Sequence, residues 1–340
     1  MIVLRKLLSS TRLTIVGMAL LAVGASLIYG NPAEVPVWVL VVPLSVLAVN
    51  LVAAIATNPR INRRPGLLMF HIGLLAVVVL VGVGRLTHYE AHVEMVDGQQ
   101  FTIDDAIDVK SGPFHSGNLD QVQFSQGPFT VDYQPMLVRG STRSHIRVRN
   151  EKGEWQARVI GDDTPLVIDG YRFYTTFNKG FTPVLTWLPD AGAPVTGTVN
   201  MPSYPLFDFK QSNSWTPVGG REIKFWLQLD TGLRQDAAWT LDVRRTGSVL
   251  VVNDGDRRVE LKPGDETVLD GGRLRYEQLR QWMGYKIFFD PTLRWLFLAS
   301  ILGVIGLASH YWRTFTAVHT ATDKIPALNS ASSAALTNKG

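Results

Sequence analysis

The sequence has no cysteine. That absence excludes thiol nucleophiles, disulfide frameworks, cysteine-ligated zinc, iron–sulfur clusters and c-type haem attachment to this chain. Charge is also scarce, at 18% Asp, Glu, Lys and Arg, where globular domains carry about a quarter. There is no repeat of fixed period and no low-complexity tract. Walker loops, G-x-S-x-G, H-E-x-x-H and a convincing carboxylate pair are all missing, so nucleotide, serine-hydrolase and zinc-protease chemistry lack support. Disorder is excluded instead by what is plentiful. Hydrophobic residues make up 46% of 340, and mean hydropathy is +0.09, too much apolar surface to leave solvated.

The apolar residues concentrate in four runs, Leu13 to Tyr29, Val37 to Ala56, Leu67 to Val83 and Trp295 to Ser309, none with an Asp, Glu, Lys or Arg. A bilayer needs about 20 residues of helix, with about 17 as the lower limit. The fourth run gains length from Tyr311 and Trp312, residue types suited to an interfacial aromatic belt. A cleaved signal peptide does not fit the first run, whose apolar core is long, lacks a clear small-x-small site and is followed at once by another span.

Loop charges predict the orientation. Arg5, Lys6 and Arg12 precede the first run; Arg60, Arg63 and Arg64 follow the second; Arg313, Lys324 and Lys339 follow the fourth. The link from Gly30 to Pro36 has no base and one acid, Glu34. Both termini and the 57–66 loop are thus expected on the cytoplasmic side, with a large domain opposite. Nine of the 33 bases lie in the cytoplasmic segments, so residues 85–294 hold 24 bases and 27 acids. The net charge of +4 is topological, and nucleic-acid binding gains no support from it.

From Tyr89 the pattern becomes period-two alternation. Examples are Thr130 to Tyr133, His145 to Arg149, Ile223 to Leu229, Trp239 to Arg244, Val249 to Asn253, Arg257 to Leu261 and Arg273 to Glu277. Turn sequences such as Asn150 to Gly153, Asn253 to Asp256 and Asp270 to Gly272 punctuate them. The fold class expected is an α-helical membrane protein with four transmembrane helices and a large all-β extracytoplasmic domain, antiparallel and sandwich or barrel-like. The divisions expected are 1–86 for the N-terminal segment and three helices, 87–290 for the β domain, 291–312 for the fourth helix and 313–340 for a mobile cytoplasmic tail.

His71 is the one ionisable side chain inside a run. Intramembrane ionisable groups are costly and mark function by default. Counting from Pro65 at 1.5 Å per residue puts it about 9 Å deep, in the inner-leaflet half. Neutral imidazole ligates iron or copper well. The bland alternative is an interhelical hydrogen bond, with Asn50 of the second run as partner; the two roles are compatible. His88, Glu90, His92 and Glu94 would line one face of a strand, as a conceivable metal site or as a solvated face. His115 and His145 read as surface, and His310 as an interfacial imidazole. The tryptophans of the β domain read mainly as core.

Several strings resemble the ResB (CcsB) cytochrome c biogenesis proteins of System II. They are Leu7 to Leu13, Leu47 to Leu51, Phe70 to Leu75, Tyr89 to Val93 with Asp97-Gly98, Ile160 to Tyr174, Arg280 to Tyr285, and Asp290-Pro291. The chain is short for that family, the shortfall falling in the external domain. The resemblance implies haem as a transient cofactor shared with a partner subunit, and His71 as its transmembrane ligand. It implies three partners: a multispan ResC (CcsA)-like haem-handling protein, apocytochrome c and the lipid bilayer of the bacterial inner membrane. The tryptophan-rich motif of the haem-handling partner is missing here, so a non-catalytic subunit is expected. A competing expectation is a membrane sensor or assembly scaffold whose β domain binds a periplasmic protein.

Overall fold

The structure is a computed structural model that describes residues 7–31, 34–150, 152–217, 220–230, 236–254 and 257–322. The chain divides into two compact units. One comprises Met1–His88, Ser111–His115 and Asp290–Gly340, the other Tyr89–Lys110 and Ser116–Phe289.

The first unit is helical: α1 (Thr11–Gly30), α2 (Trp38–Thr57), the single turn α3 (Pro59–Asn62), α4 (Pro65–Thr87) and α5 (Leu293–Thr322). Four of them are long and apolar enough to cross a membrane. Their starts follow from local chemistry. Ser10 caps α1 by accepting from the Arg12 N–H at 3.2 Å, and Asn58 caps α3 by accepting from that of Arg60 at 3.0 Å. Prolines open α3 and α4, where their missing N–H costs nothing. α1 packs on α2, α2 on α4, and α4 on α5. The α4–α5 crossing is set by glycines. A Cβ on Gly73 would lie 2.6 Å from the Gly303 nitrogen, and one on Gly66 would lie 2.7 Å from that of His310. One on Gly306 would collide with the Phe70 nitrogen. The two backbones therefore approach as closely as small residues allow, and the paired positions make the crossing antiparallel. α5 continues past the apolar run to Thr322, beyond the expected start of the tail; residues 323–340, the rest of that tail, lie outside the described residues, as do Arg5 and Lys6.

Among the described residues the second unit holds three antiparallel sheets, sandwich-like and none closed into a barrel. The largest has the order β2 (Ile107–Ser111), β1 (Tyr89–Val96), β15 (Gly272–Phe289), β7 (Tyr171–Pro189) and β6 (Leu166–Ile168). On it, β14 (Glu266–Leu269) also pairs β15, and β8 (Val195–Thr198) also pairs β7. The second runs β13 (Arg257–Leu261), β12 (Ser248–Asp254), β10 (Ile223–Leu229) and β9 (Ser212–Trp215). The third runs β11 (Trp239–Leu241), β3 (Phe124–Gln134), β4 (Val138–Arg149) and β5 (Trp155–Ile160).

Two differences from the period-two reading have simple causes. Trp239 to Arg244 is strand only to Leu241, because the Asp242 carboxylate accepts from the Arg244 N–H at 3.0 Å and bends the chain into a 3₁₀ turn. The strands are not all short either. β7 and β15 span 19 and 18 residues and pair along most of their lengths, with irregularities at Tyr276/Gln278 and Met283/Tyr285 that let such long strands bend. The core is continuous and aromatic. Trp187, Tyr171, Phe173, Tyr276 and Tyr285 are fully buried, as are Phe124 and Phe129. Tyr285 donates to Gln126 Oε1 at 2.5 Å, and Gln126 donates from Nε2 to Ser144 Oγ at 2.9 Å, which lies 2.9 Å from the same phenol. This closed polar ring joins β15 to β3 and β4 with every member satisfied.

Candidate functional site: an intramembrane histidine

His71 sits in the second turn of α4. Its Nδ1 lies 2.7 Å from the Leu67 carbonyl oxygen, one turn back. A carbonyl can only accept, so Nδ1 carries a proton; in the neutral ring Nε2 then holds the lone pair, the tautomer a metal-binding imidazole needs. The Phe70 ring meets the imidazole edge-on, with centroids 5.2 Å apart. The side chain is half-buried. At 100° per residue, His71 lies about 140° round the helix from Gly66, well off the stripe of Gly66, Phe70 and Gly73 that packs on α5. The face of α4 that packs on α5 is therefore not the one that carries the imidazole.

Asn50 is not the partner of His71. It is buried and serves α1 instead: its Nδ2 donates to the Leu8 carbonyl at 2.6 Å and to that of Ser10 at 3.2 Å, and its Oδ1 accepts from Thr14 Oγ1 at 2.7 Å. The amide thus satisfies the Leu8 carbonyl just before α1 and adds a bond to that of Ser10, which already accepts from the Leu13 and Thr14 N–H groups. The imidazole, with its own carbonyl one turn away, needs no interhelical partner to orient it.

Among the described residues, no three His, Asp or Glu side chains gather as they would for a bare metal ion. A lone imidazole does suit an iron already held in a macrocycle, which asks the protein only for axial donors. The residues thus fit haem as one axial position and do not fit a protein-caged ion.

The row from His88 to Glu94 is partitioned. His88 caps α4 rather than joining the strand, and its Nδ1 lies 2.9 Å from the Arg85 carbonyl. Glu90 pairs with Lys286 at 3.0 Å, His92 faces Asp108 at 3.8 Å, and Glu94 accepts from Asn200 at 3.0 Å. Each side chain finds its own neighbour, as on an ordinary half-solvated strand face. His145 is exposed on β4. His115 is not simply surface: its Nδ1 lies 3.1 Å from the Thr87 carbonyl, which ties residues 111–115 to the end of α4. His310 lies in α5, beside Tyr311.

Sequence reasoning missed Lys179. This residue of β7 is 1% exposed. Its Nζ lies 5.9 Å from the Tyr133 ring centroid and 5.7 Å from that of Phe177, with one long bond of 3.5 Å to the Phe177 carbonyl. Burial, helped by the Arg139 guanidinium and opposed by Asp162, pushes its amine down to about 7. The available signal was a single cation between two aromatics, Phe177 and Phe181.

The ResB-like family model matches residues 54–315, which takes in α4, the whole β unit and most of α5. No curated protein matches. Among solved structures, the chain is similar to one described as "Cytochrome c Heme Lyase CcmF", at 12% identity and a TM-score of 0.28. The alignment covers 89% of this chain and 35% of that one, so this chain spans about a third of that protein's length; a likeness so slight carries no argument. The family match extends over two of the four long helices, α4 and most of α5, and over every strand described, and on it the chain belongs to the ResB-like family, a family of cytochrome c biogenesis.

Proposed function

We propose that this chain is the membrane component of a cytochrome c maturation complex, in which it helps carry haem across the bilayer and present it to apocytochrome c. In this reading haem is cargo, shared with a ResC (CcsA)-like partner, and the chain is a non-catalytic subunit. His71 supplies a transmembrane ligand, and the β unit is an external docking domain. Both termini lie in the cytoplasm, and the β unit lies on the periplasmic side of the bacterial inner membrane, as the loop charges favour.

The observation that carries the proposal is the state of His71 in a family of cytochrome c biogenesis. Its proton is committed to the Leu67 carbonyl, so Nε2 is a ready donor on a face of α4 other than the one packed on α5. Haem bound there would gain an axial bond from this chain and complete its coordination from the partner. The half-exposed position suits a site shared between two proteins better than a closed pocket within one.

The test is His71→Ala in the complex purified with its membrane partner. Haem content, read from the Soret band, should fall, and cytochrome c maturation with it, while membrane insertion stays intact. Exogenous imidazole should restore part of both by filling the vacated position. Normal haem content and maturation in the Ala variant without imidazole would remove His71 from the ligands and leave the scaffold reading.

A further inference from the structure

We infer that β5 is a docking edge for an extended, carboxylate-bearing polypeptide segment, which adds as a further strand beside it. The inference rests on the docking role proposed above and names the surface and the class of partner.

The first observation is a free edge. β5 ends its sheet, and β4 is the strand paired with it. Trp155, Gln156, Ala157, Arg158 and Val159 are all exposed, so neither face of this strand is covered. An edge of this kind offers a row of backbone donors and acceptors to an incoming strand.

The second is charge. Residues 85–294 carry more acids than bases, 27 against 24, yet residues 138–160 hold six bases and two acids. Two of the six are neutralised, Arg139 by Asp162 and Arg143 by Asp132. Arg147, Arg149, Lys152 and Arg158 form no ion pair among the described residues. Among the described residues Arg149 bonds neutral partners, the Gly153 carbonyl at 3.2 Å and Gln123 Oε1 at 2.9 Å. A basic hairpin on an acidic domain selects an acidic partner.

The third is that each face of this edge has its own cleft. Pairing of Arg147 with Ala157 and of His145 with Val159 puts those four side chains on one face. There they border a cavity of about 410 Å³ that Gly127 and Pro128 of β3, Arg158 and the acid Asp97 also line. On the other face, Arg158 and Gln156 border an open cleft of about 920 Å³, which Arg149 and Lys152 at the hairpin end line together with the acids Glu154 and Asp169, three bases against two acids. Successive side chains of a strand point to opposite faces. A segment added beside β5 would therefore send alternate side chains into the two clefts, each with unpaired bases. Arginines on an edge strand can also serve simply to repel other strands. Cavities on both faces, and Trp155 at 41% exposure, are features that such a guard does not need.

The full-length chain in detergent micelles would be titrated against a fluorescein-labelled eight-residue peptide of alternating glutamate and valine, read by anisotropy. Binding is expected, weakening with added salt and falling roughly tenfold in the Arg147→Glu/Arg158→Glu variant. Methylating alternate backbone nitrogens of the peptide should abolish binding, an arm that needs no protein variant. His71→Ala should leave peptide binding unchanged, so loss of the haem reading and loss of this one are separable. Equal binding of a lysine–valine peptide, or indifference to N-methylation, would overturn the inference. So would displacement of the peptide by phosphatidylglycerol vesicles through the same arginines, which would assign the face to lipid.

Discussion

Replacing Lys179 by methionine tests how the β unit tolerates a buried amine. An amine moved from its ordinary 10.5 to about 7 carries about 5 kcal/mol of differential stabilisation between its protonation states. The amine is depressed in the folded state, so between pH 7 and 10.5 the unfolded chain binds more protons than the folded one. Stability contributed by this group therefore rises with pH across that window, and below pH 7 the charged amine carries its full penalty in the fold. From pH 7 to 9.5 the rise amounts to about 3 kcal/mol. Stopping at 9.5 matters, because burial pushes the Tyr133 phenol up to about 12. A raised phenol works the other way, removing stability as pH climbs above about 10. Lys179→Met deletes the desolvated charge and keeps most of the volume, at the loss of ring contacts worth about 1 kcal/mol. The expected result is a chain about 2–4 kcal/mol more stable at pH 7, with a nearly flat profile to pH 9.5. Urea unfolding followed by tryptophan fluorescence reads it well, since Trp239 stacks on Tyr133 at 4.6 Å beside the amine. A variant that keeps the wild-type pH slope, or that is less stable at pH 7, would refute the reasoning.

Three other outcomes are expected. Reporter fusions at Asn31 and Gly219 should report an extracytoplasmic location and those at Asn62 and Thr320 a cytoplasmic one; a cytoplasmic signal at Gly219 would overturn the topology. Gly73→Leu should separate α4 from α5, because its Cβ would fall 2.6 Å from backbone, costing about 1–3 kcal/mol or more. Gly82→Ala, with nothing within 4 Å, should melt like wild type in the same detergent thermal scan. Residues 87–290 expressed alone should give a β-dominated circular dichroism spectrum and melt cooperatively, since about 200 residues suffice for a core; a strongly helical spectrum would contradict the strand assignment.

The four long helices were legible because a charge-free run of that length has few other uses, and composition alone carries it. Strand existence was legible where alternation was clean: Ile223–Leu229 is strand over the span read from the pattern. Strand length was not, because β7 and β15 are buried from both sides for much of their course and alternation fades there. His71 stood out by its rarity among apolar neighbours. Its orienting bond to Leu67 was invisible, since a backbone carbonyl leaves no mark in a sequence. The Asn50 pairing failed for a related reason: depth along two helices fixes a level in the bilayer and leaves the facing side open. Lys179 was hidden by its setting, one lysine among many in a strand-rich segment, until tertiary contacts closed over it.

The first residue of β1 and the last of β15 are ladder partners, Tyr89 opposite Phe289. Two hundred residues of chain thus begin and end on a single rung, about 5 Å apart as neighbouring strands are. The β unit is in this sense a cassette entered and left at one rung, apart from residues 111–115, which return to the helical unit; α4 and α5 are matched separately through Gly66, Gly73, Gly303 and Gly306. A gap of one strand spacing can be bridged by a two- to four-residue turn. The helical part could therefore be made without the cassette, the contacts of residues 111–115 with the end of α4 being lost with it.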